Sequence, residues 1–312
     1  MKKFIIKLSM FLLPIVVLAF SAEYLLQRMP NDYSYKKSNL DKHSKEIQIL
    51  IFGSSHAYWG INPDHFSKKT FNASHMSQTL NFDLKIFEKY QHDLKNLEAV
   101  ILPISYFSLF TTLNEEDEAW RINNYTLYYG IDAHSFSDYS ELLSNKLTYN
   151  LSRLFNTYLL KKDNITCTEL GWGTTYQSEN AQDLHKTGKS AAERHTMSNI
   201  YSEKRIKIFE ENMNVLYSFS KILNQRNIKL IFLTMPAYDT YRENLNAKQL
   251  DKMVETINHF VKECPNCYFF NWFEDADFVA KDFYDADHLN EIGAEKISKK
   301  LDQEINLLEV LK

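Results

Sequence analysis

The sequence predicts an α/β protein built on a three-layer, doubly wound parallel sheet. Two observations carry this. Short apolar runs alternate over much of the chain with stretches of helical period, the pattern of parallel strands whose faces are both covered. A glycine-serine turn directly follows the first of these runs, where open α/β sheets place their chemistry.

The first strand is read at Ile47-Gln48-Ile49-Leu50-Ile51-Phe52, followed by the turn Gly53-Ser54-Ser55-His56. A short second strand falls near Thr70–Ala73, a helix around Leu80–Leu94 and a third strand at Ala99–Ile104. A long helix over Glu203–Gln225 leads to a fourth strand at Ile228–Thr234, then a helix near 247–262 and a fifth strand at 268–272. A helix over about 291–310 closes the sheet region. Residues 107–200 interrupt this alternation, and an insertion of that length is too long for a simple connector. It is well placed to form a lid or wall, with Trp120, Tyr125 or Trp172 beside the serine turn; the alternative is a small structural subdomain without ligand contact. The pair Arg194-His195, in a polar stretch, could face the substrate, but such a pair is more often simply solvated.

Lys2, Lys3 and Lys7 precede the apolar run Met10–Phe20, which continues patchily to Leu26. Charge before an apolar segment keeps that end in the cytoplasm and sends the remainder across the membrane. Ala19-Phe20-Ser21 is an acceptable cleavage site. The span from Phe4 to Leu26 is nonetheless long enough to cross a bilayer core of about 30 Å, which favours an uncleaved anchor. The expected organisation is a signal anchor over 1–27, a polar tether over 28–46 and an extracytoplasmic domain over 47–312 with the insertion at 107–200.

A chain of 312 residues can bury a full core, and one domain with an insertion is the natural reading. The net charge of −4 offers no basic footprint for nucleic acid. Cys264-Pro265-Asn266-Cys267 has redox-type spacing but falls at a helix-to-strand turn. A redox pair would instead open a helix, and a zinc site would need two more ligands at similar spacing. The pair is expected to form a local structural disulfide, and neither metal nor cofactor is expected.

Two motifs carry the chemistry. Asp285 precedes His288 by three residues, so its carboxylate can orient the imidazole and stabilise its charge. His288 can then act as base on a serine elsewhere in the fold, since an unassisted hydroxyl is a poor nucleophile. Ser54 and Ser55 both qualify by position, and either could also cap the following helix. His56 and Asp287 are expected to be solvated or to play supporting parts.

The order Gly-x-Ser early and Asp-x-x-His late resembles the SGNH (GDSL-type) hydrolase superfamily. FGSSH…NP and DFYDADHLNEIGAEKIS are similar to its membrane-anchored branch, which includes the D-alanyl-lipoteichoic acid transfer protein and the alginate O-acetylation proteins. The resemblance spans roughly residues 45–110 and 203–305. It implies a flavodoxin-like sheet, Ser55 as nucleophile and acyl transfer to a cell-surface glycan or teichoic-type polymer. It also implies a membrane-bound O-acyltransferase partner that feeds acyl groups across the membrane. Family members place oxyanion donors at the nucleophile's own N–H, at a glycine after the second strand and at an asparagine after the third. Here Ser77 stands at the glycine position and Ser105 at the asparagine position, with Asn72 as the alternative third donor. A backbone N–H survives the first change, whereas a hydroxyl replaces an amide poorly. That departure leaves room for a non-catalytic binding module on the same fold.

Overall fold

The computed structural model describes residues 1–115, 118–131, 139–144, 146–162 and 164–310; the rest of the insertion and the last two residues lie outside the described residues. Five strands, β1 (Ile49–Ile51), β2 (Thr70–Asn72), β3 (Ala99–Pro103), β4 (Lys229–Thr234) and β5 (Cys267–Asn271), form one sheet. The order is β2-β1-β3-β4-β5 and every pair is parallel, the flavodoxin-like doubly wound arrangement. Every residue of β1 to β4 is buried, as expected for strands covered on both faces.

Strand alternation sorts the core into two layers. Ile49, Ile51, Ile101, Ile231 and Leu233 pack with Ile297, Leu301 and Ile305 of the helix Glu291–Val310. On the other face Phe52 meets Phe87 and Phe219, from the helices Leu80–Tyr90 and Glu203–Gln225, while Phe232 meets Phe260 of the helix Ala247–Glu263. A two-stranded antiparallel ribbon, β6 (Phe283–Asp285) and β7 (His288–Leu289), follows β5. Cys264 and Cys267 are joined by a disulfide at the turn into β5, the structural bridge expected at a helix-to-strand turn.

The chain divides into two compact units. The sheet unit is Ser38–Glu118 with Cys167–Lys312, and the second is Met1–Lys37 with Ala119–Thr166. The insertion is therefore divided, its middle joining the N-terminal helix Lys2–Gln27 and its flanks joining the sheet. Residues 28–46 depart from the expected tether, because Asp32–His43 is helical and Lys36 and Leu40 are fully buried.

Within the second unit, the last turns of the N-terminal helix are tied to the insertion. The Glu23 carboxylate accepts from the N–H groups of Glu141 and Leu142 and from Ser140 Oγ. It thereby satisfies the free donors that open the short helix Glu141–Ser144. Gln27 Nε2 donates to the Tyr139 carbonyl, and Tyr158 Oη donates to the Leu25 carbonyl. Below these contacts the buried Glu141 pairs with Arg153 at 2.6 Å and accepts from Tyr128 Oη.

Candidate active site

The first site residue follows from how β1 ends. Gly53 turns the chain with φ of +112°, a region L side chains avoid, and its N–H donates to Asp83 Oδ1 at 2.9 Å. Asp83 is buried, which pushes its carboxyl up to about 7 although Gln78 and Gly53 donate to it. The chain leaves this turn as the helix Ser55–Gly60, so Ser55 occupies a first-turn position whose N–H has no intrahelical acceptor.

The second site residue is fixed by the C-terminal motif. Asp285 Oδ1 accepts from the backbone N–H groups of Asp287 and His288 and lies 2.9 Å from His288 Nδ1. Asn290 explains the residues that follow. Its Oδ1 caps the terminal helix by accepting from Ile292 and Gly293, while its Nδ2 donates to the carbonyls of Lys281 and Phe283. Gly293 is required by close approach, since a Cβ there would stand 2.2 Å from the Asp282 carbonyl. The motif thus builds the support that holds His288 in place.

These two constructions meet. Ser55 Oγ lies 2.9 Å from His288 Nε2, across 233 positions of sequence, and Asp285 lies against the opposite ring nitrogen. Ser55, Ser77 and Ser105 each follow the C-terminal end of a parallel strand, so the sheet brings all three to one edge.

The expected oxyanion donors fare differently. Ser77 has φ of +58°, the left-handed conformation that explains why a glycine suits this position, and its N–H donates to no other described residue. Asn72 is withdrawn from a donor role. It is fully buried, its Nδ2 donates to the carbonyls of Ala57 and Ile61, and its Oδ1 accepts from Ser74. Its amide is spent on holding the serine helix. Ser105 Oγ lies 2.6 Å from His56 Nδ1. With the Asp287 carboxylate 3.6 Å from His56 Nε2, electrostatics place the imidazole proton on Nε2. On that tautomer the Ser105 hydroxyl is engaged with His56 Nδ1.

His56, Asp287 and His195 belong to the site more closely than their motifs suggested. Asp287 is buried, with His288 Nδ1 3.5 Å from one oxygen and His56, His195 and Arg194 at 3.6, 3.7 and 3.7 Å from the other. His195 is not solvated. It packs on Phe107 and His56, and its Nδ1 lies 2.9 Å from Tyr241 Oη. Burial lowers His195 to about 3 and also lowers His56. Burial would lower His288 as well, but the Asp287 and Asp285 carboxylates outweigh it and push that imidazole up to about 10. His56 and Asp287 stand beside the motif residues, so adjacency was the available signal. His195 had none, because only folding brings it near.

The flank of the insertion that joins the sheet unit borders this site. Trp172 Nε1 donates to the Trp59 carbonyl, and Trp59 Nε1 donates to Thr175 Oγ1. Tyr176 stacks on Trp59 with ring centroids 3.6 Å apart and on Tyr284 at 3.7 Å, and Trp59 and Tyr176 both present edge-on geometry to His288. The aromatic wall at His288 is therefore Tyr176 of the insertion with Trp59 of the serine helix, in place of the expected Trp120, Tyr125 or Trp172; Trp172 touches Trp59. Trp120 and Tyr125 belong to the other compact unit.

No protein-family model matches the chain, and no curated protein matches it. Two solved structures are similar in outline. One, from Bacteroides fragilis, is proposed to be an acylhydrolase; it is 10% identical, with a TM-score of 0.43, covering 87% of this chain and 96% of that one. The other, from Streptococcus pneumonia, is proposed to be a platelet activating factor; it is 11% identical, with a TM-score of 0.43, covering 95% of this chain and 99% of that one. The functional reading rests on the geometry around Ser55.

Proposed function

We propose that this chain is a membrane-anchored, extracytoplasmic serine acyl-transfer enzyme, an O-acyltransferase or deacylase acting on a cell-envelope polysaccharide or teichoic-type polymer. The observation that carries the proposal is the continuous line Asp285–His288–Ser55, with both contacts at 2.9 Å. Ser55 Oγ attacks an acyl carbonyl as its proton passes to His288 Nε2, and Asp285 stabilises the imidazolium. Collapse of the tetrahedral adduct expels the leaving oxygen, which takes that proton. A polymer hydroxyl or water then attacks the acyl-serine while His288 accepts its proton, and His288 returns that proton to Ser55 Oγ as the acyl–oxygen bond breaks. The N–H groups of Ser55 and Ser77 are the proposed oxyanion donors.

The location is inferred from the N-terminal helix, whose 26 residues are long and apolar enough to cross a membrane. The Cys264–Cys267 disulfide suits an oxidising compartment. A membrane-bound O-acyltransferase that supplies acyl groups is the partner implied by the family resemblance. A second reading, a polymer-binding module without turnover, is favoured by one observation: Asn72 and Ser105 both have other duties, so no side-chain third donor is assigned. A fluorophosphonate probe separates the two. The enzyme reading expects labelling of the native chain that disappears in Ser55→Ala and in His288→Ala. A native chain that takes no label makes the binding module the better account.

A further inference from the structure

The second unit exposes an apolar stripe that acyl transfer does not use. Leu147, Leu151, Phe155 and Leu159 recur every four residues along the helix Leu147–Leu154 and the π-helical turn Phe155–Leu159 that continues it. Each is between 52 and 70% exposed. On an α-helix a four-residue repeat slowly rotates off one face, but the wider π turn rotates less per residue and brings Leu159 back. Polar residues hold the opposite side, where Glu141, Arg153 and Asn150 are bonded to one another. Lys146, Lys161 and Lys162 flank the stripe and are exposed.

The stripe is continuous with the end of the N-terminal helix. Glu23, Leu25 and Gln27 are bonded to residues 139–142 and 158. Any bilayer crossed by that helix therefore ends beside this segment. We infer that residues 147–160 lie in the plane of the membrane interface, with Leu147, Leu151, Phe155 and Leu159 inserted among lipid chains. An amphipathic segment of this kind buries its apolar face about 5–10 Å into the headgroup and acyl boundary. The flanking lysines then meet anionic headgroups. This inference rests on the anchor reading above and adds a second contact with the same bilayer.

The test uses the full chain in vesicles of phosphatidylcholine and phosphatidylglycerol. A nitroxide is placed on Leu147→Cys, Leu151→Cys or Phe155→Cys, with Leu13→Cys and Ile206→Cys as references and circular dichroism to check folding. Expected is high accessibility to oxygen and loss of accessibility to a soluble nickel chelate at the three stripe positions and at Leu13, with the reverse at Ile206. Nickel access at the stripe with lipid-like behaviour at Leu13 overturns the inference and leaves the anchor intact. Nickel access at Leu13 as well overturns both. Stripe positions shielded from both reagents mean that protein, not lipid, covers the face, which also overturns it.

Discussion

In the sheet unit the large apolar side chains are inside and the distinctive burial is polar. In the second unit the polar groups are tied together beneath a surface that is apolar. Among the described residues, nine large apolar side chains are exposed within 119–166, against six across the whole sheet unit. Scattered exposed apolar residues are ordinary, whereas a regular run of them calls for an occupant. The sheet unit shows the complementary cost: Asp287 Oδ2 and His56 Nε2 are buried without a hydrogen-bond partner. Natural proteins retain few such groups, and charge here is concentrated around one imidazole. One unit is organised to hold charge out of water and the other to present apolar surface to something that is not water.

The contrast can be broken most forcefully at Ser55. Ser55→Ala is expected to lower turnover of a nitrophenyl acetate ester by about 10⁴-fold or more, leaving only what binding and backbone donors supply. Unchanged turnover would remove the sheet unit's claim to chemistry. Leucines placed in the two units give the next test. Leu301 is fully buried in the sheet core, so Leu301→Ala should cost about 2–5 kcal/mol in urea unfolding.

Asp287→Asn examines the buried charge. The Asp287 carboxylate helps to hold His288 up to about 10, and the base must be neutral to accept the Ser55 proton. Activity of the native chain should therefore rise toward alkaline pH. Removing the carboxylate should move that limb to lower pH by about one unit, equivalent to ~1.4 kcal/mol. A pH profile of kcat/KM that does not move would show that Asp287 does not tune the base. The smallest effect is expected in the other unit. Leu151→Ala, at an exposed position, should change stability in detergent by less than about 0.5 kcal/mol. A loss comparable to that of Leu301→Ala would mean that the stripe is packed after all.

The sheet and half of the site were legible because each is written locally. Strands covered on both faces need continuous apolar runs, and the ranges 99–104 and 228–234 match β3 and β4 to within a residue. Asp285, His288 and Ser55 could be paired because a histidine base needs both a carboxylate and a hydroxyl, and two short motifs supplied them. The left-handed backbone at Ser77 could be anticipated from its glycine-like position. The duties of Asn72 and Ser105 could not, since they depend on which carbonyl or imidazole folding brings within 3 Å.

By itself, then, the sequence determined the succession of the parallel sheet's elements, the pairing of the early serine turn with Asp285 and His288, and the disulfide turn, because hydrophobic period and motif spacing are local properties. The choice of Ser55 over Ser54 came from the family resemblance. Tertiary structure alone decided that His195 joins Asp287, that Tyr176 and Trp59 wall the imidazole, and that the insertion divides between two units. Those outcomes depend on distances between residues far apart in the chain, and a linear pattern does not encode them.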